Sequence, residues 1–457
     1  MHRCARAAAG TRAFGTGAAA IAAMAVPAGA ALAQVVEQAA PQVIRRPSVV
    51  ALEAISAVDT AWLMTATVLV LLMTLPGIAL FYAGMVRRKN VLNTMASVTA
   101  IAAVVSILWF ALGYSLAFTP GNAWIGSDSR AWFAGLDLHT TRGLVAVSHL
   151  APHVPEAAYA MFQLAFAVIT AALLVGAWVE RMRFGAMLVF VGLWSLLVYA
   201  PVAHWVWEPG GWLARMGALD FAGGTVVHVN AGVAGLVCAW FLKPRRGHGQ
   251  EAFEPYSLAL TMMGAALLWM GWFGFNAGSS LAADSRAALA LAVTHIAASA
   301  GALAWALAEY VVRGKASLLG LCSGLVAGLV AITPAAGFVT PLSALYIGLM
   351  AGVACYWGAT GLKRLLRADD SLDVFGVHGV GGIVGSLLTG VFASPQIGGV
   401  QASVATQALS VLAVAGFTLV ATAVLLWLLD MLFGLRVDED SEWQGLDLAL
   451  HRERLSG

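Results

Sequence analysis

The sequence predicts an all-α polytopic membrane protein with eleven transmembrane helices, built from two inverted five-helix repeats and one extra helix. Three observations lead there: the composition, the apolar segments with the charges that flank them, and a motif that occurs twice. Of the 457 residues, 60% are hydrophobic and only 11% are charged, whereas about a quarter are charged in soluble domains. The formal net charge of +2 gives no reason to expect a nucleic-acid partner.

The first 56 residues differ from the rest of the chain. Residues 1–33 resemble a secretory signal peptide, with a basic start, an alanine-rich apolar run and Ala31-Leu32-Ala33 as an A-x-A cleavage site. An uncleaved first membrane helix is the alternative. Cleavage would leave the mature N-terminus on the periplasmic side, where the polar residues 34–56 are expected to form a short mobile arm.

Eleven apolar segments follow, each long enough to span about 30 Å of hydrocarbon. They make up a membrane domain over residues 57–434, which is followed by a cytoplasmic tail over residues 435–457. The segments lie near 59–84, 92–118, 156–178, 184–203, 222–242, 256–277, 286–311, 317–334, 339–361, 374–394 and 404–433.

The loops between these segments differ in positive charge. The loops after odd-numbered segments contain Arg87, Arg88, Lys89, Arg181, Arg183, Lys243, Arg245, Arg246, Arg313, Lys315, Lys363, Arg364 and Arg367. The loops after even-numbered segments contain only Arg130, Arg142, Arg215 and Arg286. Because cytoplasmic loops are enriched in Lys and Arg, this asymmetry supports a multi-pass membrane protein with eleven spans. Its N-terminus would be periplasmic and its C-terminus cytoplasmic, as an odd number of spans requires.

One motif occurs twice, 150 residues apart. In each copy an Asp stands eight residues before a His, and glycines stand four and seven residues after that His. The first copy runs from Asp220 through His228, and the second from Asp370 through His378. The histidines fall in the fifth and tenth segments, so each closes a five-helix half. Five spans is an odd number, so the halves have opposite orientations, as in transporters with a site at the midplane.

The two histidines are candidates for function because ionisable side chains inside a membrane are costly. A lone histidine in a span is more simply explained by a hydrogen bond between helices. Two at the same repeat position are expected to meet near the axis that relates the halves. One imidazole would then donate its ring proton to the other, leaving one donor and one acceptor for the lumen. A metal site is the rival interpretation, although no Cys, Asp or Glu lies in the same helical turns.

These residues also resemble a known family. The segment from Asp220 to Gly232 is similar to the signature of the ammonium transporters (the Amt/Mep branch of the Amt/Mep/Rh superfamily), in their bacterial form. Similarity extends over nearly all of residues 59–450 and includes the segments Pro76–Gly84, Gly271–Ser279, Asp373–Gly379 and Gly434–Val437. The resemblance implies a homotrimer in a bacterial inner membrane, with one narrow pore in each subunit, no cofactor, and ammonium or methylammonium-like ions as substrates.

The resemblance also assigns roles to aromatic residues. Phe166, Trp207 and Ser279 match a site that recruits ammonium, where rings offer cation–π attraction of about 0.5–2 kcal/mol each. Phe166 and Phe275 match a stacked phenyl gate, whereas Trp272, Phe162, His228 and His378 match pore positions. A simpler interpretation makes Trp207 an interfacial anchor and the phenylalanines packing residues. Asp220 and Asp370 are expected to cap the helices that follow, and Asp220 also to shape the outer site.

The resemblance implies a specific chemistry. Ammonium and potassium ions are similar in size and charge, and carrying either one bare through an apolar pore costs on the order of tens of kcal/mol. Only ammonium can give up a proton and cross as neutral ammonia. The chain is therefore expected to recruit ammonium, deprotonate it and conduct ammonia past the histidine pair, with the proton transferred separately.

Other interpretations remain open at this stage. The main alternative is an ammonium sensor that conducts little and is coupled to PII-type signalling. A membrane metalloenzyme using the two histidines, and a Rhesus-type gas channel, are further candidates. In the tail, Gly445, Leu446, Asp447 and His451 resemble the family pattern. Gln444 stands where an acidic residue is usual and Arg452 where glycine is, so binding of a cytoplasmic PII protein is open.

Overall fold

The computed structural model describes residues 46–455, and the predicted signal peptide and the first part of the arm lie outside this range. Within it, eleven apolar helices occupy the positions of the eleven predicted spans. They are α1 Ala57–Met85, α2 Arg88–Phe118, α3 Glu156–Trp178, α4 Phe184–Trp207, α5 Gly224–Leu242, α6 Leu258–Gly278, α7 Ser285–Arg313, α8 Leu318–Ile332, α9 Pro341–Leu365, α10 Val374–Phe392 and α11 Val404–Phe433.

The predicted helical membrane fold is confirmed, and one helix is shorter than expected. By length and composition, ten of the helices between residues 46 and 455 could each cross a membrane, whereas α8 has 15 residues. At 1.5 Å per residue, α8 is about 22 Å long, less than the roughly 30 Å of a hydrocarbon layer. The rest of the predicted segment, from Thr333 onward, is turns, and they reach the centre of the membrane domain.

Glycines let the helices pack closely. On α6, a side chain at Gly264, Gly271, Gly274 or Gly278 would overlap with α1, which lies against that face. The first helix of one half is therefore packed against the first helix of the other. This contact joins the two inverted halves along most of the length of α6.

A small β-sheet lies on one face of the membrane domain and was not predicted. Its strands are β1 Ser48–Ala51, β2 Leu138–His139 and β3 Leu144–Val147, in the order β1-β3-β2 with antiparallel pairing. The end of the N-terminal arm, expected to be mobile, is thus a strand paired with the loop between α2 and α3. Strands of two to four residues are too short to give a detectable alternating pattern in the sequence. We call this side of the domain the sheet face.

Charged groups are buried together on the opposite side, which we call the tail face. Arg245, after α5, donates to Asp369, after α9, through Nε and Nη2, both at 2.9 Å. Glu180, after α3, accepts from Arg87, after α1, at 2.9 Å and from Arg245 at 3.3 Å. The Phe253 ring lies against both guanidinium groups, 4.3 and 4.6 Å from its centroid. Loops after odd-numbered helices therefore meet on one face, as the charge asymmetry predicts.

The C-terminal tail is docked on this face through two short helices, α12 Glu439–Gln444 and α13 Leu446–His451. The Glu442 carboxylate accepts from Arg436 at 2.8 Å, and the Asp447 carboxylate accepts from the Asn93 N–H at 2.7 Å. Arg452 ends α13 with a φ of 56°, in the left-handed region. Such a backbone favours glycine, which is the residue that the resemblance implies at this position.

We expect Asp369→Asn to destabilise the fold by about 3–5 kcal/mol, because it leaves the buried Arg245 without its main counter-charge. Burial raises the pKa of the Asp369 carboxyl, but the hydrogen bonds and charge of Arg245 outweigh it and hold the pKa below its ordinary value. A depressed folded-state pKa stabilises the protein above the unfolded pKa of about 4, and this stabilisation is lost as the pH falls below that. Thermal unfolding in detergent should show a large difference between wild type and variant at pH 7, and a smaller one below pH of about 4.

The control for this experiment is Glu439→Gln. Glu439 pairs with Arg246 at 3.5 Å, but its side chain is 88% exposed, so the substitution should change stability little. Equal melting temperatures for wild type and Asp369→Asn at pH 7 would contradict the assigned role of the buried cluster.

Candidate functional site

His228 and His378 occupy equivalent places in two helices. Both α5 and α10 begin with a six-residue π-helical turn, Gly224–Val229 and Val374–Gly379, and the histidine is the fifth residue of each turn. Four other π-helical turns occur between residues 46 and 455, so the turn alone does not mark a functional site, but its matched position in the two repeats is specific to these helices. The two copies of the sequence repeat, 150 residues apart, therefore have the same local helix geometry.

An Asp side chain caps the start of each of these helices. The Asp220 carboxylate accepts from the backbone N–H groups of Gly223, Gly224, Thr225 and Val226, and from the Thr225 hydroxyl at 2.6 Å. These bonds satisfy donors that a helix start leaves free, as the capping interpretation requires.

Asp370 does the same at the start of α10. Its carboxylate accepts from the Val374 N–H at 3.0 Å and the Phe375 N–H at 2.7 Å. Burial, with the negative charge of nearby Asp373, raises the pKa of the Asp370 carboxyl to about 6. Asp370 therefore binds a proton more readily than an exposed carboxyl does.

The two histidines are in contact. Their Nδ1 atoms lie 3.3 Å apart, and the ring centroids are 5.4 Å apart with planes inclined by 23°. Because this hydrogen bond joins two ring nitrogens, one imidazole must be the N–H donor and the other must be the acceptor. The two Nε2 atoms of a neutral pair are then one donor and one acceptor. The Nε2 atom of His228 is buried, with no hydrogen-bond partner between residues 46 and 455.

Glycines of the repeated motif permit this contact. A Cβ atom at Gly232 would overlap with the backbone of Gly379, next to His378. At the equivalent Gly382, a Cβ would lie 3.0 Å from the Cβ of His228. Each histidine therefore packs against the glycine four residues after the other one.

Aromatic rings continue from the histidine pair towards the sheet face. The His228 ring is stacked on Trp272, with centroids 5.3 Å apart, and lies 6.0 Å from the Phe275 ring. Phe275 is stacked on Phe166 at 4.2 Å, and Phe166 contacts Trp207 edge-on at 5.8 Å. Except for Trp207, these side chains are fully buried. The structure thus brings five of the predicted site residues together in one column with His378.

The remaining predicted residues lie beside this column. Phe162 contacts Phe166 at 5.0 Å and packs on Gly278. The Trp207 indole N–H donates to the Asp220 carbonyl at 2.8 Å, which links the cap of α5 to this ring. The Ser279 hydroxyl donates to the Phe275 carbonyl at 2.8 Å. Among the described residues, no hydrogen bond joins Ser279 to Phe166 or Trp207.

Comparison with known proteins identifies the family. The profile of the Ammonium Transporter Family matches residues 61–455. The ammonium transporter of Bacillus subtilis (strain 168) is 44% identical over 405 residues, which cover 87% of this chain and 98% of that protein. The chain belongs to the ammonium transporter family.

Two solved structures have the same fold as this chain. The crystal structure of Saccharomyces cerevisiae Mep2 aligns with a TM-score of 0.78 at 36% identity, over 84% of this chain and 88% of that one. A structure named Sensor Amt Protein aligns with a TM-score of 0.78 at 27% identity, over 86% of this chain and 98% of that one. Membership of this family makes the chain a multi-pass membrane transporter and not an enzyme, so the metalloenzyme interpretation is wrong.

Sequence reasoning missed Thr333, which follows α8. Its buried hydroxyl accepts from the Trp272 indole N–H at 2.8 Å and donates to the Leu329 carbonyl at 2.8 Å. The next residue, Pro334, accepts from the Phe221 N–H at 3.1 Å and packs on Gly224. The early end of α8 therefore brings this segment against both the Trp272 ring and the start of α5. A hydroxyl in an apolar segment gave no signal in the sequence.

The sequence analysis also missed the other end of the column. A cavity of about 40 Å³ lies between His378 and the tail face, and the side chains of Phe81, Tyr82, Ser323 and Asp373 are among those that line it. The Asp373 carboxylate is paired with Lys363 at 2.6 Å. This cavity lies at the tail-face end of the column, on the side of His378 away from His228. The sequence offered one signal for this cavity, which is Asp373, a second acidic residue three positions after Asp370 in the motif.

We expect Gly232→Ala and Gly382→Ala each to destabilise the protein by about 1–3 kcal/mol, because the added methyl group forces α5 and α10 apart. The matched control is Gly416→Ala in α11, where nothing lies within 4 Å of the added carbon. Thermal unfolding in detergent should separate the two motif variants from the control. Wild-type stability in both motif variants would show that the close contact is not required.

Proposed function

We propose that this chain transports ammonium by recruiting it at the Trp207–Phe166 site, deprotonating it, and conducting ammonia past the histidine pair. The observation that carries the proposal is the column of stacked rings, in which Phe166 and Phe275 are 4.2 Å apart and fully buried. No hydrated ion passes between rings in van der Waals contact unless they move. The half-buried Trp207 lies at the sheet-face end of the column, where a cation arrives from water.

The chemistry of the column favours ammonia over any ion. Cation–π attraction at Phe166 and Trp207 offsets part of the cost of removing water from ammonium, by about 0.5–2 kcal/mol per ring. Beyond Phe275, a bare ion would lose its hydration at a cost on the order of tens of kcal/mol. Potassium has no means of avoiding this cost, but ammonium avoids it by releasing a proton.

The histidine pair replaces water as a hydrogen-bond partner for ammonia. One Nε2 accepts a hydrogen bond from ammonia, and the other donates one to it. The Nδ1–Nδ1 contact of 3.3 Å also joins the rings into a path along which a proton can pass from one half of the protein to the other. We propose that the proton moves separately through or near this pair, so that net transport carries charge.

The proposed setting follows the charge asymmetry of the loops. The sheet face is periplasmic, the tail face is cytoplasmic, and residues 1–33 are removed as a signal peptide. Three copies form a homotrimer with one pore per subunit. The docked tail, α12 and α13, is the surface on which a PII signalling protein would bind.

The alternative is an ammonium sensor with little conduction. The sensor alternative is supported by the similarity to the structure named Sensor Amt Protein, since 98% of that chain aligns. A sensor would bind ammonium at the Trp207–Phe166 site without passing charge across the membrane. Transport measurements therefore separate the two functions.

The first test is charge movement on a solid-supported membrane carrying proteoliposomes of the purified protein. We expect a current after a pulse of ammonium or methylammonium and none after a pulse of potassium. No current with ammonium would contradict electrogenic transport. Alkalinisation of the vesicle interior without current would then indicate a neutral ammonia channel, and ammonium binding with neither signal would indicate a sensor.

Replacing both His228 and His378 with leucine should abolish selective transport, because ammonia loses its hydrogen-bond partners and the proton its path. The same ammonium, methylammonium and potassium pulses measure the outcome. The control is His139→Leu, since the His139 side chain is 45% exposed on the sheet face. Normal currents with normal selectivity in the double variant would refute the role of the pair.

Thr333→Val should alter transport without unfolding the protein. The variant removes the acceptor for the Trp272 N–H, a bond worth about 1 kcal/mol, so the ring stacked on His228 is held less firmly. We expect the ratio of methylammonium to ammonium current to change by several-fold, up to about tenfold for 1.4 kcal/mol. Thr333→Ser keeps the hydroxyl and should restore the wild-type ratio.

Thr294→Val is the matched control for this variant. The Thr294 hydroxyl accepts from the Asn276 amide at 2.9 Å, one turn along α6 from Trp272, and donates to the Ala290 carbonyl. The bonding pattern is the same, but the ring column is not involved. A change of selectivity equal to that of Thr333→Val would mean that α6 packing, and not the ring position, sets the ratio.

A further inference from the structure

A glutamate and a histidine are buried together beside the Trp207–Phe166 site, outside the ring column. Glu208 directly follows Trp207, as the first residue after α4. Its Oε2 atom lies 2.9 Å from Nε2 of His149, and the two side chains are 4% and 3% exposed. This is the only hydrogen bond of the Glu208 carboxylate between residues 46 and 455. The pair joins the end of α4 to the loop between α2 and α3.

The backbone holds both members of the pair in place. His149 lies in a turn directly after β3, and the Ala151 N–H closes this turn by donating to the Ser148 carbonyl at 3.1 Å. The Glu208 N–H donates to the His204 carbonyl at 3.3 Å, at the last turn of α4. The β-sheet and the end of α4 therefore place the imidazole against the carboxylate.

The hydrogen bonds indicate the charge of the pair. A carboxylate only accepts, so Nε2 of His149 is the donor. The Nδ1 atom of His149 is buried and has no hydrogen-bond partner in the described part of the chain. A proton added at Nδ1 would make a buried N–H group without an acceptor, which is costly. The arrangement therefore fits a neutral imidazole, and the pair keeps the single negative charge of Glu208.

Helix capping does not explain a carboxylate at this place. The C-terminal end of a helix carries partial negative charge, so an anion there is unfavourable, whereas a cation would be favourable. Glu208 nevertheless stands at the end of α4, next to the indole that the proposed function assigns to cation recruitment. A negative charge at that point suits a cation that arrives from water.

The other titratable groups near the pair do not cancel this charge. Tyr159 of α3 is within range of the Glu208 charge but is itself neutral as a phenol. The exposed Arg215 lies nearby, since its guanidinium and Oε1 of Glu208 are both within 4 Å of the Cβ position of Gly210. No ion pair joins Arg215 to Glu208 between residues 46 and 455.

A second ion pair lies beyond Tyr159. Glu156 of α3 also acts on Tyr159, but Arg130 of the loop between α2 and α3 pairs with it at 3.0 Å. The charge of Glu156 is thereby compensated. Glu208 is left as the uncompensated anion of this region.

We propose that the Glu208 carboxylate, with His149 as its proton-sensitive partner, attracts ammonium to the Trp207–Phe166 site and raises the affinity of that site. The inference rests on the proposed function and adds a charge to the same site. Consecutive Cα atoms are about 3.8 Å apart, so the carboxylate lies on the order of 10 Å from the indole. At that distance a unit charge changes the affinity for a cation by several-fold, up to about tenfold. Glu208 acts through its field and is a positioning residue.

The first test separates the charge of Glu208 from its hydrogen bond. Glu208→Gln keeps an acceptor for His149 and removes the charge, whereas Glu208→Asp keeps the charge on a shorter side chain. Currents from proteoliposomes over a range of ammonium concentrations should show a half-saturating concentration about three- to tenfold higher in Glu208→Gln. Glu208→Asp should stay close to wild type. Equal half-saturation in all three proteins, or the larger effect in Glu208→Asp, would overturn the proposal.

Asp137→Asn is the matched control for the loss of charge. It removes one negative charge from the same face, beside a histidine, His139, at 3.9 Å. The Asp137 side chain is 65% exposed, so water and salt screen its charge. The half-saturating concentration should therefore be that of wild type. An increase equal to that of Glu208→Gln would mean that the net charge of the face, and not the position of Glu208, sets the affinity.

The second test uses pH and remains decisive if Glu208→Gln fails to fold. A proton on His149 cancels the charge of the pair, so recruitment should weaken as the pH falls through the range of histidine titration, about pH 8 to 5. The half-saturating concentration of wild type should rise over that range. His149→Gln keeps an N–H donor for the carboxylate but does not titrate, so most of this rise should disappear. A rise of the same size in His149→Gln would overturn the role of His149.

The wild-type current distinguishes this inference from the function on which it rests. A current in wild type with equal half-saturation in the Glu208 variants keeps the proposed function and removes the inference. If wild type gives no current, electrogenic transport fails, and calorimetric titration of the purified proteins with ammonium replaces the currents. Weaker binding by Glu208→Gln than by wild type and Glu208→Asp would then support the inference, and equal binding would overturn it.

Discussion

Two side chains can meet at the centre of a membrane protein only where the backbones that hold them approach closely, and here that approach depends on Gly232 and Gly382. Each glycine lies against the backbone that carries the other half's histidine. The contact fixes the 3.3 Å distance between the two Nδ1 atoms and, through His228, the place of Trp272 and Phe275. Interiors are packed too densely to absorb an added methyl group here, so the contact between the histidines depends on the absence of two side chains.

Most polar groups inside this structure find a partner in the protein, because a membrane interior supplies no water. Thr333 accepts the Trp272 N–H, and Asp220 satisfies four N–H groups at the start of α5. The charges of the tail-face loops satisfy one another around Arg245. The Nε2 atom of His228 is among the exceptions, because it has no hydrogen-bond partner between residues 46 and 455.

Much of this arrangement could be predicted from the sequence, because the relevant signals are local or repeated. The length of the apolar segments predicts the helices, and the loop charges predict that successive helices cross the membrane in opposite directions. The 150-residue repeat predicts that His228 and His378 meet. The contacts that depend on irregular backbone could not be predicted. Thr333 acts through the early end of α8, and an apolar run does not reveal where its helix stops. Asp373 has a left-handed backbone and pairs with Lys363, which the sequence motif does not reveal. The β-sheet depends on strands of two to four residues.

The matched start of α5 and α10 has a consequence for the direction of flow. The two helices enter from opposite faces with the same cap, the same π-helical turn and the same histidine, so the imidazole pair itself looks nearly alike from either side. Its neighbours differ, since Trp272 and Phe275 lie beside His228 and a cavity lies beside His378. In the proposed transport, any difference in conductance between the two directions has to arise at these neighbours and at the ends of the column, and not at the pair.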